Sequence, residues 1–307
     1  MGTHGIGEIR TGTVHANGIR FAYLEAGEGP LLLLLHGFPD NALTWSQQIP
    51  RLVKAGYRVV APFLRGFPPT EIPGESAYTI RGHAEDVCAL IDALGGRPAR
   101  IVGHDWGASA TFAAIAQSPE RIERACVLAA SHPATLLATF ESPRLLHHLF
   151  HVWFFQLEEY AENSVRANDY ALIEYLWRYW SGGTVDSEHL ATVKRTLAAD
   201  GALPPMLGYY RSLVRLPFDD PDFISRAFRP IPVPVLTIFG GNDPVRALAE
   251  GEERHFAGEY RREIVDGAGH VVHRDRPERV TDLLVEWFSP AARPSELPTA
   301  STQQEGR

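Results

Sequence analysis

The segment GHDWGA, residues 103–108, places a carboxylate at a sharp turn between an apolar strand and a helix. Gly103 and Gly107 stand two positions before and two after Asp105, and glycines there let the backbone hold the central residue in a strained conformation. A carboxylate raised above a sheet at a helix N-terminus is ionised and accessible. We therefore predict that Asp105 is a nucleophile, with a helix-capping aspartate in a tight turn as the alternative.

A second aspartate and a histidine follow two later strand-like segments. Asp243 ends LTIFGGND, and His270 ends REIVDGAGH. Because the carboxyl ends of parallel strands lie at one edge of a sheet, we expect Asp105, Asp243 and His270 to meet there. The histidine can act as a general base, and the second aspartate can fix its tautomer and orientation. Each alone is more often a loop residue, but their shared position at strand ends favours catalysis.

The segment HGFPDN, residues 36–41, directly follows a strand of five leucines. We expect the backbone N–H of Phe38 to converge with that of Trp106, the residue after Asp105. Two convergent N–H donors stabilise an oxyanion, so this pair predicts an oxyanion hole. Taken alone, HGFPDN is equally typical of a plain turn at a strand end.

The elements that must position these residues alternate between strands and helices. LLLLLHG, YRVVAPF, ARIVGHD and RACVLAA are typical of buried parallel strands, with helical segments between them. The alternation stops near residue 132 and resumes near residue 229. The pattern predicts an α/β fold with a mostly parallel central sheet, flanking helices and an inserted helical cap lobe.

The same pattern divides the chain into parts. We assign residues 1–131 and 229–290 to the core and residues 132–228 to the helical cap. Residues 1–10 are predicted to be a loose leader. Residues 291–307 are polar and rich in Pro, Ser and Thr, which predicts a disordered tail.

The composition excludes some classes of function. A net charge of -8 argues against binding nucleic acid or an anionic membrane through bulk charge. The leucine run is too short to span a bilayer, and the N-terminus lacks the features of a secretory signal, so we expect a cytoplasmic protein. Cys88 and Cys126 are interpreted as buried free thiols. No metal or other cofactor is predicted, and the oligomeric state is left open, with a dimer as one option.

HGFPDN, LRGF, GHDWGA, NDP and GAGH together make residues 20–290 resemble the α/β-hydrolase superfamily, within it the epoxide hydrolase and haloalkane dehalogenase branch. The resemblance implies the α/β-hydrolase fold and a triad of Asp105, Asp243 and His270 in the superfamily's order. The chain departs from the family at Phe63, in APFLRG, where an acid is common. We interpret this change as an altered rim of the pocket.

An aspartate nucleophile restricts the substrates. Its attack on an ester would give an anhydride, whereas its attack on an sp3 carbon with a leaving group gives an alkyl ester, which a histidine-activated water hydrolyses. We therefore predict an epoxide hydrolase that converts an apolar epoxide and water to a vicinal diol. A haloalkane dehalogenase that uses the same ester is the alternative.

The resemblance also implies hydrogen-bond donors in the lobe that face the opening epoxide oxygen. In HHLFHVWFFQ the family position falls on His151, where tyrosine is common, and in MLGYYR it falls on Tyr210. A His/Tyr pair resembles the Cif-like epoxide hydrolases. Those carry a glutamate after the strand that here reads RACVLAASHP, and this chain has none, so Asp243 remains the predicted acid. A locally satisfied histidine and a core tyrosine are the alternatives.

Aromatic residues of the lobe predict a mostly apolar pocket. We expect Phe63, Trp153 and Phe154 to line it, with contributions from three further aromatic residues, Phe140, Phe150 and Trp177.

Three other functions are possible alternatives to epoxide hydrolysis: halide binding, metal binding and ligand binding without catalysis. Trp106 with Trp153, Trp177 or Trp180 could bind a halide. His147, His148 and His151 could be metal ligands, but no acid or HExxH pattern completes a site. A non-catalytic ligand receptor on a hydrolase scaffold would leave the triad idle.

Overall fold

The sheet begins with a hairpin in the computed structural model, which describes residues 8–74, 78–96, 98–135, 141–181 and 186–289. Strands β1 (Arg10–Ala16) and β2 (Ile19–Ala26) pair antiparallel around Asn17 and Gly18. Both turn residues have positive φ angles, 44° and 76°, which asparagine and glycine tolerate best. The hairpin expected from the Asn-Gly step is confirmed.

The central sheet has eight strands in the order β1-β2-β4-β3-β5-β6-β7-β8. The strands β3 to β8 pair parallel, and β2 pairs antiparallel with β1 and β4. The predicted α/β-hydrolase architecture is therefore confirmed. The remaining strands are β3 (Leu31–Leu35), β4 (Arg58–Pro62), β5 (Ala99–His104), β6 (Ile122–Leu128), β7 (Val235–Gly240) and β8 (Tyr260–Val265).

Helices cover the sheet, and α2 and α11 each bury one apolar stripe, whereas α3 is buried almost all round. In α2 the predicted face is buried, Thr79 caps the N-terminus by accepting the Gly82 N–H, and Gly95 follows the C-terminus with a φ of 74°. Cys88 and Cys126 are buried free thiols, as predicted. The core helices are α1 (Ile49–Lys54), α2 (Ile80–Ala93), α3 (Trp106–Gln117), α10 (Val272–Asp275) and α11 (Pro277–Phe288).

In the described part of the segment between β6 and β7 the chain forms six α-helices, which we call the inserted helices. The backbone of α6 leaves helical geometry at Ala167–Tyr170, so α6 consists of two helical stretches. Within the described part of residues 141–228 there is no strand, as the sequence predicted. The inserted helices are α4 (Pro143–His148), α5 (Phe150–Phe154), α6 (Tyr160–Trp180), α7 (Ser187–Ala198), α8 (Leu203–Asp219) and α9 (Pro221–Ala227).

The domain boundaries at residues 132 and 228 stay predictions. The predicted tail, residues 291–307, lies outside the described residues, and so does the predicted leader up to residue 7. The end of the predicted leader is wrong, because Arg10 already begins β1. Among the helices that the structure describes, none is both long and apolar enough to cross a membrane.

Buried polar contacts join the inserted helices to the loop that follows β3. His189 of α7 places Nε2 2.7 Å from Oδ1 of Asp40, and both side chains are buried. Next to them, the Asn41 side-chain amide donates to Thr196 Oγ1 over 3.1 Å. Although burial opposes ionisation of Asp40, the charge of His189 lowers the pKa of that carboxyl below its usual value. Because the same loop carries Phe38, α7 fixes this loop in place.

Candidate active site

Asp105 stands at the turn between β5 and α3 with φ 52° and ψ -113°, a region that non-glycine residues rarely adopt. The backbone around it is packed too closely for side chains. A Cβ on Gly103 would lie 2.3 Å from the Gly107 carbonyl oxygen, and one on Gly107 2.2 Å from that of Leu35. The Asp105 side chain makes no capping hydrogen bond to α3. The helix-capping alternative therefore does not describe this aspartate.

The structure brings Asp105, Asp243 and His270 together. The His270 Nδ1–H donates to Asp243 Oδ2 over 3.0 Å, since a carboxylate can only accept. On the other side of the ring, Nε2 lies 3.6 Å from Oδ2 of Asp105. The backbone N–H of His270 donates to the Trp180 carbonyl over 2.8 Å, which ties this loop to α6. Asp243 is buried, whereas 22% of the Asp105 side chain is exposed.

The charges of these three side chains are coupled. Burial opposes protonation of His270, but Asp243 and Asp105 outweigh it and raise its pKa to about 10. Burial likewise opposes ionisation of Asp105, but the hydrogen bond and charge of His270 lower the pKa of the carboxyl. The two shifts therefore both favour a protonated His270 beside an ionised Asp105.

The loop after β3 delivers one predicted oxyanion donor. The Phe38 backbone N–H donates to Oδ1 of Asp105 over 2.8 Å. The loop is held by His36, whose Nε2 accepts the Leu64 N–H over 3.0 Å. Trp106 is the first residue of α3, where a backbone N–H has no partner within the helix. The Phe38 N–H therefore contacts the Asp105 carboxylate, and Trp106 follows Asp105 directly in the chain.

His151 and Tyr210 lie edge to face with ring centroids 5.4 Å apart, and both are buried. No hydrogen-bond partner for His151 Nδ1 is present among the described residues, so the alternative of a locally satisfied histidine does not account for it. Burial lowers the pKa of His151 to about 4 and raises that of Tyr210 well above its usual value. Both side chains are therefore neutral at physiological pH, and each can donate a hydrogen bond.

A cavity of about 40 Å³ adjoins the triad. Sequence reasoning did not assign His148 and Tyr179 to it, although both border it and His148 Nδ1 is hydrogen-bonded to the Tyr179 hydroxyl. These residues lie on α4 and α6, and no sequence pattern links them. The lining comprises Asp105, His148, Leu149, His151, Tyr179, Trp180, Asp243, Pro244, Val245 and His270.

The predicted pocket residues Phe63, Trp153 and Phe154 do not border this cavity. His151 of α5 and Phe155, which follows the helix, are buried, whereas 37% of the surface of Trp153 between them is exposed. Phe154 packs beside Phe155. Phe63 is buried against β2, where its N–H donates to the Ala22 carbonyl over 2.9 Å. Phe140, also expected in the pocket, lies outside the described residues.

The fold places the candidate halide-binding tryptophans in different surroundings. Trp180 borders the cavity with its ring 5.7 Å from that of His270, whereas Trp177 packs on His189 of α7. The Trp106 ring lies 5.1 Å from that of Tyr210. In the described ranges, no group of three or more His, Cys, Asp or Glu side chains is arranged to hold a metal ion.

Comparison with known proteins agrees with this architecture. Residues 30–277 match the family model of the alpha/beta hydrolase fold, and the chain belongs to that family. Within it, the relatives place the chain in the epoxide hydrolase branch.

Among the curated relatives, the AB hydrolase superfamily protein YfhM of Bacillus subtilis is 32% identical over 90% of this chain and 96% of its own. Epoxide hydrolase A of Mycobacterium tuberculosis is 30% identical with the same coverage of both chains. Among solved structures, epoxide hydrolase A of Mycobacterium thermoresistibile superposes with a TM-score of 0.79 at 26% identity, covering 92% of this chain and 98% of its own. VrEH1, an epoxide hydrolase of Vigna radiata, superposes with a TM-score of 0.76 at 26% identity, covering 93% of this chain and 98% of its own.

Proposed function

We propose that this chain is an epoxide hydrolase that converts an apolar epoxide to a vicinal diol through an alkyl ester on Asp105. The observation that carries the proposal is a carboxylate held at a strained turn, 3.6 Å from the imidazole of His270. A carboxylate nucleophile favours carbon electrophiles over esters, because its attack on an sp3 carbon gives an ester that water can hydrolyse. One curated relative and two solved structures that are named as epoxide hydrolases support the same activity for this chain.

In the first step, an oxygen of Asp105 attacks one epoxide carbon, the ring C–O bond breaks, and its electron pair stays on the ring oxygen. The inserted helices act as a cap that presents the ring N–H of His151 and the hydroxyl of Tyr210 to that oxygen. Because both side chains are neutral and buried, their hydrogen bonds act in a site of low dielectric. The developing alkoxide is stabilised as it forms, and a proton from Tyr210 completes the alcohol. Once Asp105 is an uncharged ester, His270 gives up its proton, and a proton returns to the Tyr210 oxygen, so that Tyr210 is a hydroxyl and His270 a neutral base before the second step.

In the second step, water hydrolyses the ester. His270 takes a proton from the water as it attacks the ester carbonyl, and the resulting oxyanion accepts hydrogen bonds from the Phe38 and Trp106 N–H groups. The hydrogen bond between His270 and Asp243 keeps the ring in the tautomer that this step needs. Collapse of the intermediate releases the diol and restores the Asp105 carboxylate.

Replacing His270 by glutamine is expected to stop the reaction at the ester, because nothing remains to activate the water. Intact-protein mass spectrometry after incubation with an aryl or alkyl epoxide should show one added substrate mass, and peptide mapping should place it on Asp105. The double variant Asp105→Ala/His270→Gln is the control and should stay unmodified. An unmodified His270→Gln protein, across a panel of epoxides and haloalkanes, would overturn the proposed mechanism.

His151→Phe and Tyr210→Phe are each expected to lower kcat/KM for an epoxide by about 10² or more, the usual contribution of a positioned proton donor. The exposed Trp153 offers a matched control on the same helix as His151, and Trp153→Phe should change kcat/KM by less than about twofold. The measurement is diol formation at fixed pH. Full activity in His151→Phe would contradict the donor role of that residue.

Haloalkane dehalogenation is the second candidate, because the indole of Trp180 borders the cavity beside His270. Dehalogenation needs no proton for the leaving halide, so His151→Phe should leave the rate of dehalogenation nearly unchanged. Bromide release from a bromoalkane at a rate above that of diol formation would favour this candidate. Saturable binding of epoxides and haloalkanes without turnover of either would instead favour the receptor alternative.

A further inference from the structure

Two side chains join the α5 segment to α8, and neither takes part in the proposed reaction steps. Gln156, two residues after α5, places its Nε2 3.0 Å from the Tyr210 carbonyl oxygen and 2.8 Å from that of Val152. Both carbonyl groups are acceptors, so the amide NH2 of Gln156 satisfies them with one N–H each. This side chain therefore connects the end of α5 to the backbone of Tyr210 itself.

Arg211, the residue after Tyr210, makes the reciprocal contact. Its Nε–H donates to the Phe155 carbonyl over 2.9 Å, and its Nη2 lies 2.8 Å from Oε1 of Glu162 in α6. Glu162 is buried, so its charge compensates that of Arg211 away from water. The α5 segment thus donates to α8 through Gln156, and α8 donates back through Arg211. We call Gln156 and Arg211 the helix clamp.

The helix α5 depends on such contacts because it is short. A helix of five residues makes too few internal hydrogen bonds to be stable by itself, so its surroundings determine its position. The last four carbonyl groups of a helix have no partner within it, and Gln156 satisfies one of these in α5, that of Val152. The orientation of His151 on α5 therefore depends on the segment that follows it.

The rings of His151 and Tyr210 do not align their donor groups by packing alone. They lie edge to face with centroids 5.4 Å apart, and the ring of Phe155 packs against both, at 5.9 and 5.1 Å. Apolar packing is non-directional, whereas two hydrogen bonds to one oxygen atom need defined directions. The helix clamp fixes the backbone on both sides of this contact, at Phe155, four residues after His151, and at Tyr210.

We propose that Gln156 and Arg211 are positioning residues for ring opening, which hold the His151 N–H and the Tyr210 O–H convergent on the leaving oxygen of the epoxide. The inference rests on the proposed function and assigns two further residues to its first step. Because a misplacement of about 1 Å can cost about 10²-fold in rate, loss of either side chain should slow ring opening. The second step should be spared, since His270 activates the water from the core.

The test measures the two steps separately. The value of kcat and the fraction of esterified enzyme in samples quenched at saturating epoxide together give the rate constants of ester formation and ester hydrolysis. Gln156→Leu removes the amide donors, and Gln156→Glu keeps the size but, when ionised, offers only acceptors. Both variants should form the ester at least about tenfold more slowly and hydrolyse it within about twofold of the wild-type rate.

Glu158→Ala is the matched control, because Glu158 lies two residues after Gln156 and is exposed. This variant should change neither rate constant by more than about twofold. A Gln156→Leu protein with both rate constants unchanged, or with both lowered equally, would overturn the positioning role.

A double-mutant cycle shows whether Gln156 acts through the donor pair. In a Tyr210→Phe background, Gln156→Leu should slow ester formation by less than it does in the wild type, because one of the two donors that it positions is already absent. Effects that multiply independently would indicate a general loss of packing and would contradict the proposal.

Arg211 is tested with its charge partner neutralised, because Arg211→Met alone would leave a buried carboxylate without its cation. The comparison is therefore between Glu162→Gln and Glu162→Gln/Arg211→Met. The double variant should form the ester about tenfold more slowly than Glu162→Gln and hydrolyse it at the same rate. Equal rates of ester formation in the two proteins would refute the assignment of Arg211.

Nuclear Overhauser effects between the ring protons of His151 and Tyr210 need no substrate and separate this inference from the proposed function. A ring contact that Gln156→Leu loses, in a protein that turns over no epoxide, supports the hold of the helix clamp on the pair and refutes the proposed function. Diol formation by the wild type, with unchanged rate constants in Gln156→Leu, supports the proposed function and refutes the helix clamp.

Discussion

Replacing Asp105 by glycine is expected to abolish turnover while leaving a protein that is more stable than the matching asparagine variant. The φ of 52° and ψ of -113° at Asp105 lie where only glycine is unstrained. Such strain costs on the order of 1–3 kcal/mol, and the larger backbone entropy of glycine in the unfolded chain offsets about 0.5–1 kcal/mol of that. The free energy of unfolding of Asp105→Gly is therefore expected to exceed that of Asp105→Asn by about 1 kcal/mol. Loss of the nucleophile should lower kcat by about four orders of magnitude or more.

Asp105→Asn is the matched reference because it removes the same charge and keeps the side chain at the strained position. Ala129 provides a second control, since its φ of 56° also lies in the region that favours glycine. Ala129→Gly should gain stability and keep its activity, which separates strain from catalysis. Urea unfolding gives the free energies and diol formation gives the rates. An Asp105→Gly protein that is less stable than Asp105→Asn would show that the turn stores no strain.

The turn at Asp105 could be predicted because much of what determines it is local. Gly103 is required by the Gly107 carbonyl four residues later, and an unbroken apolar run marks the strand before the turn. Gly107 is required by the Leu35 carbonyl of β3, a contact that the local sequence does not show. The meeting of Asp243 and His270 with Asp105 then follows from parallel pairing alone, because every strand of such a sheet ends at the same edge.

The inserted helices could not be read in the same way. The segment around His151 is rich in apolar and aromatic residues, so its sequence does not say which face of α5 turns inward. The sequence predicts Trp153 in the pocket, whereas the structure leaves 37% of its surface exposed. The pairs His148–Tyr179 and Asp40–His189 join residues that are distant along the chain. Their contacts depend on how helices pack on one another and on the core, which no local pattern encodes.

Asp243→Asn is expected to lower kcat by about 10³ or more and to move the pH profile of ester hydrolysis toward lower pH. In the resting protein, Asp243 and Asp105 outweigh burial and raise the pKa of His270 to about 10. In the proposed mechanism, alkylation turns Asp105 into a neutral ester, so the pKa of His270 falls and the ring can lose its proton to act as a base. Asp243→Asn removes the second carboxylate and lowers the pKa further, while the amide no longer fixes the productive tautomer.

Single-turnover decay of the ester, followed by rapid quench across pH, measures this shift directly. Wild-type decay should accelerate with rising pH and reach its plateau below pH 10, and the variant should reach a much lower plateau at a lower pH. Glu263→Gln, on the exposed outer strand β8, is the control and should not move the profile. Profiles of wild type and Asp243→Asn with the same midpoint would contradict the role of Asp243 in setting the pKa of His270.

Folding stability reports the same coupling in the resting protein. The pKa of His270 is higher in the folded chain, about 10, than the value of 6.5 expected when unfolded. Its contribution to the free energy of unfolding is therefore complete below pH 6.5 and is lost as the pH rises through 10. Asp243→Asn should flatten this decline, because the variant loses one of the two carboxylates that raise the pKa of His270 in the folded state. In the proposed mechanism, catalysis and stability thus depend on the same two carboxylates, and only catalysis requires that one of them lose its charge.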